Sequence, residues 1–244
     1  MPGETELLRH IYRRSADLAG HPCIALGPGD DAALLHLPAA TLVTVDQLVE
    51  GRHYRPDLDV DLVARKAVAR SVSDIAAMGG RPLAGFATAC LRSDFREADH
   101  LFDRMSHWAR CWAAPLAGGD IATGPGPTVL TVTMLGELPD GVPPVLRSGA
   151  RAGDRVVVTG ALGGSLASGR HARFEPRLAE AAWLQTHARP TAMLDISDGL
   201  GRDAGRLAEA SGVRIVLEAA RLPRHAEVAD WRRAASDGED YELL

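Results

Sequence analysis

The chain has 244 residues, 46% hydrophobic and 24% charged, the composition of an ordinary globular protein with enough length for one large or two smaller domains. Its formal net charge is −5, which argues against a nucleic-acid or anionic-membrane partner. Cys23, Cys90 and Cys111 are scattered, so neither a disulfide framework nor a CxxC metal pair is expected. The start, MPGETELLRH, does not read as a signal peptide. No run approaches the ~18 apolar residues of a membrane span, and a cytoplasmic location is the expectation.

In chain order, Leu7, Leu8, Ile11 and Tyr12 recur at helical spacing and predict a helix over 5–18. The Gly/Pro-punctuated stretch LGPGDDAA (26–33) reads as a loop, and TLVTVDQLV (41–49) as a strand. A helix over 60–78, a strand over 83–91 and a helix over 95–113 follow. The strand 128–138 is bounded by GPGP and PDG, and PDGVPP (139–144) is the most linker-like stretch. Beyond it the pattern predicts strands at 155–160, 191–196 and 213–218 and helices at 177–187 and 199–210. These alternations imply an α/β chain of two units, 1–140 and 145–244.

The distinctive residues are acids. Asp30-Asp31 lies in a Gly-rich loop, Asp46 follows Thr44-Val45 in a strand, and Asp74 lies on a helix ending in Met-Gly-Gly. Asp120 closes Gly118-Gly119-Asp120, and Asp195 and Asp198 bracket a strand end. Several adjoin apolar runs, where a lone carboxylate pays desolvation unless a cation or donor meets it. An oxygen-rich, thiolate-free set suits hard cations, chiefly Mg²⁺. On the helix 60–78, Leu62, Val68, Val72 and Ile75 form an apolar side, with Ala67, Arg70, Ser71 and Asp74 on another face. Taken singly, each motif has a plainer reading. Asp74 is equally a solvated acid, GPGDD a tight turn, Ser197-Asp198-Gly199 a helix N-cap, and His53 a structural histidine. No Walker loop and no protein-kinase Gly-rich loop with its lysine is present.

Seven segments in order lift the argument. Gly27–Ala33 (GPGDDAA), Val45–Tyr54 (VDQLVEGRHY), Ser73–Pro82 (SDIAAMGGRP), Gly118–Asp120, Arg147–Asp154 (RSGARAGD), Asp195–Leu200 (DISDGL) and Gly238–Leu243 (GEDYEL) together resemble the thiamine-monophosphate kinase family. That family is grouped with aminoimidazole ribonucleotide synthetase and selenophosphate synthetase. The resemblance implies a two-domain α/β (α+β) fold. Its N-terminal domain would have a mixed sheet that binds ATP and pairs in a homodimer, with strands 41–49, 83–91 and 128–138 at or near the interface. It also implies transfer of the ATP γ-phosphoryl group to thiamine monophosphate, with no enzyme nucleophile. By position, Asp31, Thr44, Val45, Asp46, Asp74, Asp120, Asp195 and Asp198 would hold several Mg²⁺ ions. Gly119, Asp120, Arg147 and Ser197 would contact ATP, and His53 and Glu239 would face the thiamine phosphate. The chain departs from the family at Val45 and Ile121, where hydroxyl residues are usual, and it ends at Leu244 where relatives continue. An incomplete C-terminal domain is therefore expected, with the stretch Gly164–Pro176 also shortened. A sister ATP-dependent synthetase, or an impaired or non-catalytic ATP-binding homologue, are the competing readings.

Overall fold

The structure, a computed structural model, describes residues 4–18, 20–28 and 32–244. The chain divides into two compact units, Met1–Val72 with Pro82–Glu137, and Ser73–Arg81 with Leu138–Leu244.

The first unit opens with helix α1 (Glu4–Arg14), which stops four residues before the predicted end and gives way to a 3-10 turn at Ala16–Leu18. Two short strands, β1 (Ile24–Leu26) and β2 (Leu34–Leu35), pair antiparallel. Then come β3 (Leu42–Val49), α2 (Val60–Ala77), β4 (Arg81–Arg92), α3 (Ala98–Cys111), β5 (Leu116–Gly124) and β6 (Val129–Glu137). The four long strands form one mixed sheet in the order β3-β6-β4-β5. Strands β3 and β6 are antiparallel, from Leu42 opposite Gly136 to Val49 opposite Val129, whereas β4 and β5 run parallel. Helix α2 packs on the sheet face that carries Asp46 and Val132, since Ser71 Oγ reaches Asp46 Oδ2 (3.4 Å) and the Val132 carbonyl (3.1 Å). Its Ala64, Val68, Ala69 and Val72 are fully buried, so this helix is covered nearly all round rather than along one stripe. The opposite sheet face, which by strand alternation carries Val43, Val45, Thr88 and Cys90, is open, with Val43 62% and Val45 59% exposed.

Strand β5 is absent from the sequence expectation because LAGGDIATG is poor in β-branched and aromatic residues and carries a Gly-Gly pair in its interior. Gly119 explains the composition: a Cβ there would collide with the Ala87 carbonyl oxygen of β4.

The second unit begins with the last turn of α2 and continues after β6. It contains α4 (Ser165–Ser168), a 3-10 turn at Arg170–Ala172, α5 (Leu178–His187), α6 (Leu200–Ser211) and α7 (Trp231–Ser236). One core gathers Leu162, Leu194, Ile196, Leu200, Leu207 and Val228, and a second gathers Ala76, Ala77, Val145, Ala181, Met193 and Leu243. The strands expected at 155–160, 191–196 and 213–218 do not form. Val157 is 63% and Val216 68% exposed, while Ile196 is fully buried in the core, and no regular ladder accepts these segments. Instead 194–197 pairs irregularly with 239–244. Leu194 and Leu244 exchange backbone bonds (3.1 and 2.9 Å), Ile196 N–H donates to the Glu242 carbonyl (2.8 Å), and Asp195 bridges Leu243. Glu239 and Tyr241 adopt φ of 67° and 53°, a left-handed backbone that prevents a ladder from propagating. Among the described residues no helix is long and apolar enough to cross a membrane.

Candidate active site

In the first unit Asp46 points from β3 toward α2. Arg70 Nη2 donates to Asp46 Oδ1 (3.2 Å), and its Nη1 donates to the Gln47 carbonyl (2.6 Å). The two side chains are only 16% and 20% exposed. Asp46 is therefore a carboxylate met by a guanidinium and a hydroxyl, as its apolar setting demands. Of its neighbours, Thr44 is half-buried on the same face as Asp46, while Val45 projects to the open face.

His53 sits in the tight turn after β3. The Val49 N–H donates to His53 Nδ1 (2.8 Å), so this nitrogen presents a lone pair and Nε2 carries the proton of the neutral ring. Lys66, fully buried on α2, fixes the same turn by donating from Nζ to the His53 carbonyl (2.6 Å).

Gly119 and the exposed Asp120 lie on edge strand β5. With Tyr12, Thr88, Ser106 and Gly118 they line a cavity of about 530 Å³. Asp31 and its neighbours Gly29 and Asp30 lie outside the described residues.

In the second unit Asp74 is half-buried at the end of α2, next to Ser73, whose Oγ donates to the buried Asp195 Oδ2 (2.7 Å). The segment Ser197-Asp198-Gly199 does not cap α6 through a side chain. The N-cap is Gly199, and Asp203 in the first turn takes the N–H groups of Ser197 and Asp198 on one oxygen (3.0 and 2.9 Å). Arg206 then joins Asp203 (2.7 Å) and Asp198 (2.6 Å), and these partners raise its pKa, led by the hydrogen bond to Asp198. Arg147 is exposed, and its carbonyl accepts from Ser211 Oγ (2.9 Å).

Glu239 meets Ser197 through the backbone, its N–H donating to the Ser197 carbonyl (2.8 Å). Its carboxylate accepts from Tyr241 Oη (3.1 Å), and that ring stacks on Phe174 at 3.9 Å. The two acids that alternate with it turn inward. Asp240 takes the Gly163 N–H (2.9 Å), and burial pushes its pKa up to about 6 against the lowering effect of that bond. Glu242 receives Arg177 Nε (2.8 Å) and Thr159 Oγ1 (2.6 Å).

The structure thus joins Ser197 with Glu239 and links Asp195 to the residue beside Asp74. It shows no group of three acid, histidine or cysteine side chains that could enclose an ion among the described residues. Sequence reasoning missed Lys66, Ser73, Arg177 and Asp203. Only Asp203-Arg206 carries a readable signal, an acid and a base three apart on a helix.

The chain is similar to known proteins along most of its length. The AIR synthase related protein N-terminal domain family matches residues 29–138. A thiamine-monophosphate kinase from Rhodopirellula baltica is 35% identical over 262 residues, covering 99% of this chain and 81% of its own length. The crystal structure of thiamine-monophosphate kinase from Stenotrophomonas maltophilia superposes with a TM-score of 0.82 at 29% identity, over 99% of this chain and 84% of that one. AaThiL, solved in complex with AMPPCP and TMP, superposes at 0.76 with 27% identity, again over 99% and 84%. With a mixed-sheet first unit, an α/β architecture of that fold and identity sustained along almost all its length, the chain belongs to the thiamine-monophosphate kinase family.

Proposed function

We propose that this protein transfers the γ-phosphoryl group of ATP to thiamine monophosphate, giving thiamine diphosphate. The observation that carries the reading is identity of 35% sustained over 99% of the chain with a kinase of that activity. Phosphoryl transfer asks chiefly for alignment and for neutralisation of charge on the transferring group, and needs no enzyme nucleophile. The expected result is thiamine diphosphate from purified protein, ATP, Mg²⁺ and thiamine monophosphate. ATP hydrolysis with no diphosphate formed would turn the reading toward an impaired homologue.

Magnesium fits the donors. They are carboxylate and carbonyl oxygens, and Mg²⁺ takes only one or two carboxylates when substrate phosphates complete its shell, so an enclosing cluster is not required. The ligands are Asp31, Asp46 and Asp120 of the first unit, with Thr44 and the Val45 carbonyl, and Asp74, Asp195 and Asp198 of the second. Bound there, the ions would offset the repulsion between carboxylates and triphosphate. The other roles belong to the chain itself. Gly119 and Asp120 line the nucleotide side, and Arg147 and Ser197 add donors to phosphate. His53, fixed with its proton on Nε2, donates to the acceptor phosphate, and Glu239 orients the thiamine side.

The open sheet face bearing Val43, Val45, Thr88 and Cys90 pairs with a second copy, giving a homodimer in the cytoplasm. Exposed valines in regular alternation on a wide sheet support this contact. A clean monomer by light scattering at micromolar concentration would remove it.

A further inference from the structure

Asp46 and Asp198 each meet an arginine, but the Arg70–Asp46 pair is far more buried than the Arg206–Asp198 pair, whose side chains are 47% and 46% exposed. The Arg70 guanidinium grips β3 at two points, the Asp46 carboxylate (3.2 Å) and the Gln47 carbonyl (2.6 Å). Both charged side chains are largely buried, at 16% and 20% exposure, so bulk salt screens the pair little. Ser71 Oγ touches the other carboxylate oxygen at 3.4 Å. A guanidinium cannot lose its charge and offers only donors, so it satisfies a carboxylate permanently. A divalent ion arriving at Asp46 meets a carboxylate already neutralised, and a cation a few ångströms away that repels it.

We propose that Arg70 is a built-in counter-ion that holds Asp46 while no metal is bound and competes with the divalent cation for it. The inference rests on the reading of Asp46 as a metal ligand. Its consequence is that Arg70 raises the cation concentration needed to load this position while keeping β3 and α2 joined in its absence. Metal affinity at Asp46 is then set by a residue that never touches the metal.

The test is Mn²⁺ titration of the full chain without nucleotide, reading free Mn²⁺ by electron paramagnetic resonance. It compares the parent with Arg70→Gln, Asp46→Asn and the double variant. Arg70→Gln is expected to tighten one Mn²⁺ site about tenfold, the size of a typical coupling between neighbouring groups. Asp46→Asn should weaken Mn²⁺ binding in the parent and erase the Arg70→Gln gain. Thermal melts add a second readout: Arg70→Gln should melt below the parent without metal, and the gap should close at saturating Mn²⁺. Arg70→Lys, which keeps charge but loses the two-pronged grip, should fall between the two and serves if Arg70→Gln does not fold. Unchanged or weaker Mn²⁺ binding in Arg70→Gln, where Asp46→Asn does weaken it, overturns the counter-ion role alone. No effect of Asp46→Asn removes Asp46 as a ligand and the inference with it. Neither outcome depends on whether thiamine diphosphate is made, so failure of the kinase reading shows separately.

Discussion

The two units satisfy their backbones in opposite ways. In the first, β3 and β6 exchange bonds along eight matched positions, from Leu42 to Val49. The ladder needs no help from side chains, and acids such as Asp46 and Asp120 are left for other partners. In the second unit the segments around 159, 195 and 241 never form a regular ladder, and carboxylates fill backbone gaps, Asp203 for the N–H groups of Ser197 and Asp198 and Asp240 for that of Gly163, while Glu242 ties the Arg177 and Thr159 side chains together. An acid in a regular sheet is left to side chains or ligands, as Asp46 is to Arg70, whereas an acid beside irregular backbone is often a structural acceptor. Counting aspartates in motifs does not separate the two kinds.

Substitutions that remove one acid at a time sharpen this contrast. The largest loss of stability is expected for Glu242→Ala. It leaves the Arg177 guanidinium to Glu180 (3.0 Å) and takes the acceptor from the Thr159 hydroxyl beside a buried gap, and should cost about 3 kcal/mol in urea unfolding. A cost below about 1 kcal/mol would mean that the pair contributes little and the contrast is overdrawn.

Next comes Asp203→Ala, which leaves two backbone N–H groups without their acceptor at the start of α6. A loss of about 2 kcal/mol is expected, with Asp203→Asn recovering part of it because an amide oxygen still accepts.

Asp240 gives a smaller effect that depends on pH. Its folded pKa, about 6, lies above the ordinary carboxylate value, so the folded state binds the proton more tightly than the unfolded one. Stability from this group is full below about pH 4 and is lost as pH rises through about 6. The difference in melting temperature between the parent and Asp240→Asn should therefore shift against the parent over that window. A flat difference would show that the carboxyl is not held protonated.

The smallest change in stability belongs to Asp120→Asn on the exposed edge of β5, within about 0.5 kcal/mol. Its turnover should nevertheless fall on the order of a hundredfold, as when one electrostatic group at a reacting phosphate is lost. Near-parental kcat at low millimolar Mg²⁺ would remove Asp120 from the proposed ligands.

The sequence makes long periodic elements legible. Helices α2, α3, α5 and α6 and strands β3, β4 and β6 form within a few residues of the expected spans, because their signal is local and repeated. Strand β5 escapes because its glycines answer to a neighbouring strand rather than to their own propensity. The valines at 156–158 mislead in the opposite direction: β-branched residues favour a pleat, but a strand needs a partner, and that partner is a non-local fact. The site shows the same division. Which acids matter is suggested by the order of the motifs. That Arg70 covers Asp46, or that Asp203 rather than Ser197 closes the start of α6, depends on contacts that spacing along the chain does not encode.

The close approach of 195–200 to 236–242 bears on how this protein can be recombined. Gly238 has no room for a side chain, since a Cβ there would lie 2.7 Å from the Ser197 carbonyl oxygen, and Gly199 faces the Ser236 carbonyl oxygen in the same way at 2.8 Å. These two stretches, some forty residues apart, are halves of one interlocked piece. In a chimera between family members they should be exchanged together as a single cassette. A crossover between them brings together two backbones shaped by different partners, and the cost falls on folding before any chemistry can be measured.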